Sequence, residues 1–151
     1  MDREHWYSNG HVTLNTVEGE GVDGSRALRC MVMFVWPEEP VIYQQTRAEW
    51  RFYSEGFHMI QLRQGSTYKI SFYAKTPINR TRIKVQLGVA PTNESILWTS
   101  DEVEIDTEFS KHEFSYTHDS ESVEDVRFSI IFGERHSEVI FDDIKLVGSR
   151  Q

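Results

Sequence analysis

Three clusters of side chains in this 151-residue chain carry residue types suited to chemistry. Glu104, Asp106 and Glu108 recur at every second position. On an extended strand they would point to one face, where one carboxylate can attack a glycosidic carbon while another protonates the leaving oxygen. Asp142 and Asp143 interrupt an apolar run, Val139-Ile140-Phe141 before and Ile144-Lys145-Leu146 after. By alternation Asp142 shares a face with Ile140, Ile144 and Leu146, so its carboxylate needs a compensating partner. Ca²⁺, which takes six to eight oxygen ligands, is one such partner, and backbone N–H groups or an arginine are the other. The third cluster, Gly19-Glu20-Gly21-Val22-Asp23-Gly24, satisfies G-x-G-x-x-G. A dinucleotide site needs that motif between a strand and a helix, whereas a β-rich segment follows here, so a plain turn is the expectation.

Other reactive residues are dispersed. The six histidines, at positions 5, 11, 58, 112, 118 and 136, never fall at metal-ligand spacing. Cys30 is the only cysteine, so no intramolecular disulfide forms, and its apolar neighbours predict a buried, inert thiol. The sequons Asn79-Arg80-Thr81 and Asn93-Glu94-Ser95 sit in expected loops and matter only in a host that glycosylates.

The elements that would position these groups are strands. Apolar residues alternate with period two, most clearly in Tyr68–Lys75, and again in Arg82–Val89, Glu113–Thr117, Val126–Gly133 and Val139–Val147. His11–Val17 and Ala27–Val35 read the same way. Turn chemistry separates them at Asn9-Gly10, Asp23-Gly24, Gln64-Gly65-Ser66, Pro77–Thr81, Pro91–Ser95 and Gly133–Ser137. No stretch of ten residues shows a helical stripe. Seven to nine short strands without helices predict an all-β chain, an antiparallel β-sandwich with jelly-roll topology, folded as one domain over residues 1–151. The long stretch Trp36–Phe57 is expected to be an irregular, functional loop rich in aromatic rings.

Composition narrows the partners. Sixteen Lys and Arg against twenty-four Asp and Glu give a net charge of -8, with no basic run, which argues against nucleic acid and anionic lipid. The longest apolar run, Met31–Trp36, is too short to cross a bilayer, and no secretory signal stands at the start. Rings make up 13% of residues, yet mean hydropathy is -0.51, so some aromatics are expected at the surface.

Several stretches together resemble carbohydrate-binding modules of families four, nine and twenty-two. They are Gly24-Ser25-Arg26-Ala27-Leu28-Arg29, Leu62 through Lys75 with its G-x-x-Y and F-Y-A-K segments, Val103 through Phe109, and Phe128–Gly133 with Ile140-Phe141-Asp142-Asp143-Ile144. The resemblance implies a β-jelly roll of the galactose-binding-domain-like kind whose concave sheet holds a glycan chain. It implies no catalysis, a calcium ligand at Asp142, and attachment to a secreted multidomain hydrolase, the module itself acting as a monomer. Trp50 stands near the position from which such modules project a cleft tryptophan, and Trp98 is the candidate for the opposite wall. Tyr73, Lys84, Gln86, Arg127, Ser129 and Ile131, with Lys75, are the candidates for the floor. Sugar rings offer apolar C–H faces to aromatic planes and hydroxyls to amide and guanidinium groups, and a polysaccharide such as xylan or β-glucan is the expected ligand. The N-terminal strand that supplies a further calcium ligand in these modules is missing or altered here. The E-x-D-x-E array also resembles the catalytic strand of jelly-roll β-glucanases, so a small glycan-cleaving enzyme using Glu104 and Glu108 is the alternative. A solvated strand face is its plainer reading, because those enzymes are longer chains.

Overall fold

The computed structural model describes residues 6–8, 12–32, 41–45, 61–77, 81–89, 96–124, 126–133 and 138–149. Within them the chain is all strand. The elements are β1 (Tyr7–Ser8), β2 (Val12–Val17), β3 (Ala27–Val32), β4 (Val41–Gln45), β5 (Thr67–Lys75), β6 (Thr81–Val89), β7 (Ile96–Thr99), β8 (Val103–Ile105), β9 (Ser110–Thr117), β10 (Val126–Phe132) and β11 (Glu138–Ser149).

They form two antiparallel sheets. The first runs β1-β4-β10-β6-β7, with β8 also paired to β6, and the second runs β2-β3-β11-β5-β9. The chain crosses between sheets repeatedly, for example from β5 to β6, from β9 to β10 and from β10 to β11, so apart from β2-β3 and β6-β7 the neighbouring strands are not consecutive in the chain. This is the jelly-roll sandwich that the strand spacing predicts.

Alternation decides what each sheet buries. In β5, Tyr68, Ile70, Phe72 and Ala74 are buried, and in β6 Ile83, Val85 and Leu87 are fully buried. The two inner faces meet through rings: Phe141 packs edge-on against Phe72 of its own sheet at 5.5 Å and against Phe132 of the other at 6.1 Å. All three rings are fully buried, each contributing about 1.5–3 kcal/mol relative to exposure. Cys30 lies in the same core, where burial pushes its thiol far above the ordinary range, so it is an inert hydrophobe as expected.

Four strands lie outside the alternating segments. β1 is a two-residue strand, β4 lies inside the stretch read as irregular, β7 forms where a loop was expected around Trp98, and β8 is a three-residue strand. The remainder of Trp36–Phe57 lies outside the described residues.

Candidate functional site

The outer face of the first sheet follows from its register. Arg127, Ser129 and Ile131 of β10 stand opposite Gly88, Gln86 and Lys84 of β6, and opposite Gln45, Tyr43 and Val41 of β4. Gln86 in turn stands opposite Thr99 of β7 and donates its Nε2–H to Thr99 Oγ1 at 3.1 Å. Cross-strand partners share a face, so Lys84, Gln86, Thr99, Arg127, Ser129 and Ile131 occupy one surface, opposite the core residues Val85, Leu87, Phe128 and Ile130. The row Tyr43, Ser129, Gln86, Thr99 crosses three interstrand gaps, about 14 Å.

The middle of this surface is withdrawn from water, while Thr99 at its β7 edge is exposed. Ser129 is fully buried and Ile131 only 6% exposed, although both point away from the core, while Lys84, Gln86 and Arg127 are half-buried. An amide, a guanidinium, an ammonium and hydroxyls thus line a floor partly withdrawn from water. In such surroundings hydrogen bonds to a ligand are electrostatically stronger than on an open surface.

Five of the predicted floor residues, Lys84, Gln86, Arg127, Ser129 and Ile131, come together here. Tyr73 does not. It lies on β5, between Asp142 and Lys111, on the outer face of the second sheet, as does Lys75. Alternation distinguishes outward from inward residues but cannot say which sheet an outward residue belongs to, and that is the physical reason for the misplacement.

Trp98 also falls elsewhere. It stands opposite fully buried Leu87, so it faces the core side of β7, where its half-buried ring stacks on Tyr116 at 5.4 Å and 27°. It closes an edge of the sandwich instead of walling the outer face. Thr99, its neighbour, is the residue that the sequence reading missed; the apolar run Ile96-Leu97-Trp98 after the Pro91–Ser95 turn was the available signal for a strand. Trp50 lies outside the described residues.

The acidic array is not a strand face. β8 ends at Ile105, and Asp106–Glu108 follow in a turn whose Asp106 carbonyl accepts the Thr76 N–H at 2.9 Å. The glycine motif is a turn, as expected: Gly21 N–H donates to Ser25 O at 2.8 Å, Gly24 N–H donates to Gly21 O at 3.0 Å, and β3 follows.

A two-sheet jelly roll with a partly recessed polar face finds its counterpart in a family model described as a carbohydrate binding domain, of the family four and nine type, which matches residues 45–137. That span holds β5 through β10. The chain belongs to this family. Among solved structures, a family four module is similar at 20% identity and TM-score 0.65, over 98% of this chain and 89% of that one. The CBM22-1 xylan-binding domain of Paenibacillus barcinonensis Xyn10C shares 10% identity with TM-score 0.69, over 99% and 89%. The CBM22-1 and GH10 modules of Clostridium thermocellum Xyn10B, complexed with xylohexaose, share 20% identity with TM-score 0.64, over 96% of this chain and 26% of that one. No curated protein matches the chain in sequence.

In this carbohydrate-binding domain Asp142 is held by protein donors. It is 7% exposed; Oδ2 accepts the Val22 N–H at 3.0 Å and the Ser25 hydroxyl at 3.3 Å, and Oδ1 accepts the Asp143 N–H at 2.8 Å. These bonds tie the glycine turn to a bulge in β11, where the register against β5 shifts between Asp142 and Lys145 and Asp143 adopts φ 52°. Among the described residues no three His, Cys, Asp or Glu side chains gather to share a metal. The described surroundings of Asp142 fit an anchor contacted by two N–H groups and a hydroxyl. The expected N-terminal ligand falls on residues 1–5, outside the described residues.

Proposed function

We propose that this carbohydrate-binding domain is a non-catalytic module that takes a single β-linked plant-type polysaccharide chain, xylan or a β-glucan, across the outer face of its first sheet. The observation that carries this reading is the polar row running from buried Ser129 through half-buried Gln86 to exposed Thr99, flanked by Arg127 and Lys84. Hydroxyls along a sugar chain meet donors and acceptors at about the interstrand spacing, with Gln86 and Arg127 fixing orientation. Trp50, the position at which the family resemblance implies a cleft tryptophan, supplies the stacking surface. Support for the ligand class comes from the neighbours described as xylan-binding or solved with xylohexaose. Neighbours joined to hydrolase modules support a larger, secreted parent enzyme that the domain holds on its substrate.

Titration calorimetry against xylan, mixed-linkage β-glucan and their oligosaccharides tests the proposal. Saturable binding that falls at least tenfold in Trp50→Ala and in Arg127→Ala, with folding retained, is the expected result. Binding undiminished in both variants would overturn the site. The same samples incubated with polysaccharide release no reducing ends, because Glu104 and Glu108 are split between a strand and the following turn. Sustained release abolished by Glu104→Gln would make the protein an enzyme.

A further inference from the structure

The second sheet carries a cavity of its own. It has a volume of about 210 Å³ and is lined by Val17, Glu20, Arg29, Pro77, Glu138 and Ile140. Register places it on the outer face: Arg29 of β3 stands opposite Ile140 of β11, which stands opposite Lys75 of β5. The sandwich core therefore separates it from the Ser129, Gln86, Thr99 row.

The lining is specific in kind. Ile140, only 5% exposed, forms an apolar floor with Val17 and Pro77 beside it. Arg29 Nε donates to Glu138 Oε1, and the Glu138 side chain is only 11% exposed. Lys75, just outside the lining, pairs with Glu20 at 3.5 Å and also lies over the Phe109 ring at 4.7 Å. The Nε contact uses one edge of the Arg29 guanidinium, and a guanidinium has five N–H donors in a planar fork. Glu138 likewise engages through Oε1, and a carboxylate has two oxygens.

Charge and size select the ligand. Two carboxylates against two cations leave the cavity close to neutral, which favours neither a strong anion nor a cation. Its volume is below the roughly 300 Å³ at which pockets begin to hold drug-sized molecules, so one small ring is the scale that fits. Fixed acceptors and donors around an aliphatic floor match a ring with hydroxyls at its rim and C–H groups on one face. From this geometry we propose that the cavity is a second carbohydrate subsite, taking a single neutral sugar unit such as a branch or chain end. The proposal goes beyond the glycan-binding face and does not depend on it.

NMR titration of the whole chain with D-xylose, L-arabinose, D-glucose and D-galactose, one at a time, tests it. At least one sugar saturably shifts the Ile140 methyl and Arg29 Nε–H signals in the millimolar range. Ile140→Phe, which fills the cavity, and Arg29→Met, which keeps the aliphatic stem, each weaken that response at least tenfold while the rest of the spectrum stays folded. No response to any of the four sugars would overturn the proposal, as would a response retained in a folded Ile140→Phe or Arg29→Met variant. Equal shifts with sodium acetate or guanidinium chloride would also overturn it, by showing that charge alone is read. Signals of Gln86, Thr99 and Arg127 in the presence of xylo-oligosaccharide report the other face in the same spectra, so failure of one site is distinguishable from failure of the other.

Discussion

Trp98 stacks on Tyr116, joining β7 at the edge of the first sheet to β9 at the edge of the second. The pair is anchored from behind. Fully buried His118 places Nε2 2.7 Å from the Glu121 carbonyl, so that nitrogen carries the proton and Nδ1 accepts the Tyr116 hydroxyl at 2.8 Å. Trp98→Ala therefore removes a structural closure. Chemical denaturation should show a loss of about 2 kcal/mol, below the roughly 3–5 kcal/mol of a wholly buried ring because Trp98 is half-buried. Glycan affinity by calorimetry should stay unchanged. Lost binding at an unchanged melting temperature would return Trp98 to the ligand face.

Gly21 approaches Asp142 so closely that a Cβ would sit 2.7 Å from Oδ2 and 2.9 Å from the Ser25 carbonyl. Asp142→Ala leaves the Val22 and Asp143 amides to find water, and Gly21→Ala drives the turn off the carboxylate. Each is expected to cost about 2 kcal/mol, and the double variant clearly less than their sum, because both break the same contact. Chelation by EGTA should leave the melting temperature unchanged, since protein donors already satisfy Asp142. A drop of several degrees reversed by CaCl₂ would make Asp142 a calcium ligand.

Thr81 begins β6 opposite Ile105 and is fully buried, yet its hydroxyl has no hydrogen-bond partner among the described residues. Valine has nearly the same shape without the hydroxyl. Thr81→Val should raise stability by about 1 kcal/mol, read by urea denaturation of protein from a host that does not glycosylate the Asn79-Arg80-Thr81 sequon. Destabilisation would mean that the hydroxyl is satisfied after all.

How far the sequence reaches is clear from these residues. Alternation in Tyr68–Lys75 and Val126–Gly133 identified core and outward positions, because period-two burial is a local property of one strand. It placed Lys84, Gln86, Arg127, Ser129 and Ile131 on outward faces, and the register gathers them. It could not assign Tyr73 to a sheet, because strand order in a jelly roll is a non-local choice and β5 and β6, consecutive in the chain, lie in different sheets. Nor could it orient Trp98: a four-residue strand shows too few alternations to separate its faces. Glu104 and Glu108 misled in the opposite way, since their spacing suits a strand that ends at Ile105. Asp142 was legible as a buried acid, but its partners in the 21–25 turn are some 120 residues away in the chain.

His112 gives the domain a pH dependence of predictable sign. Its half-buried ring lies on Phe72 at 5.5 Å, with Nε2 3.5 Å from the Ser110 hydroxyl. Burial lowers its pKa below the ordinary histidine value of 6.5, with the charge of Asp106 acting weakly in the other direction. Above pH 6.5 the ring is neutral in both folded and unfolded chains and contributes no slope. Below it, the unfolded chain takes a proton that the folded domain resists, so stability falls with pH until the folded ring protonates too. Thermal melts of wild type and His112→Phe, taken from pH 8 to pH 5, isolate this contribution from the other five histidines. The wild type should lose stability relative to the variant only below about pH 6.5. A constant difference across the range, or a wild type that gains stability on acidification relative to the variant, would refute the assignment.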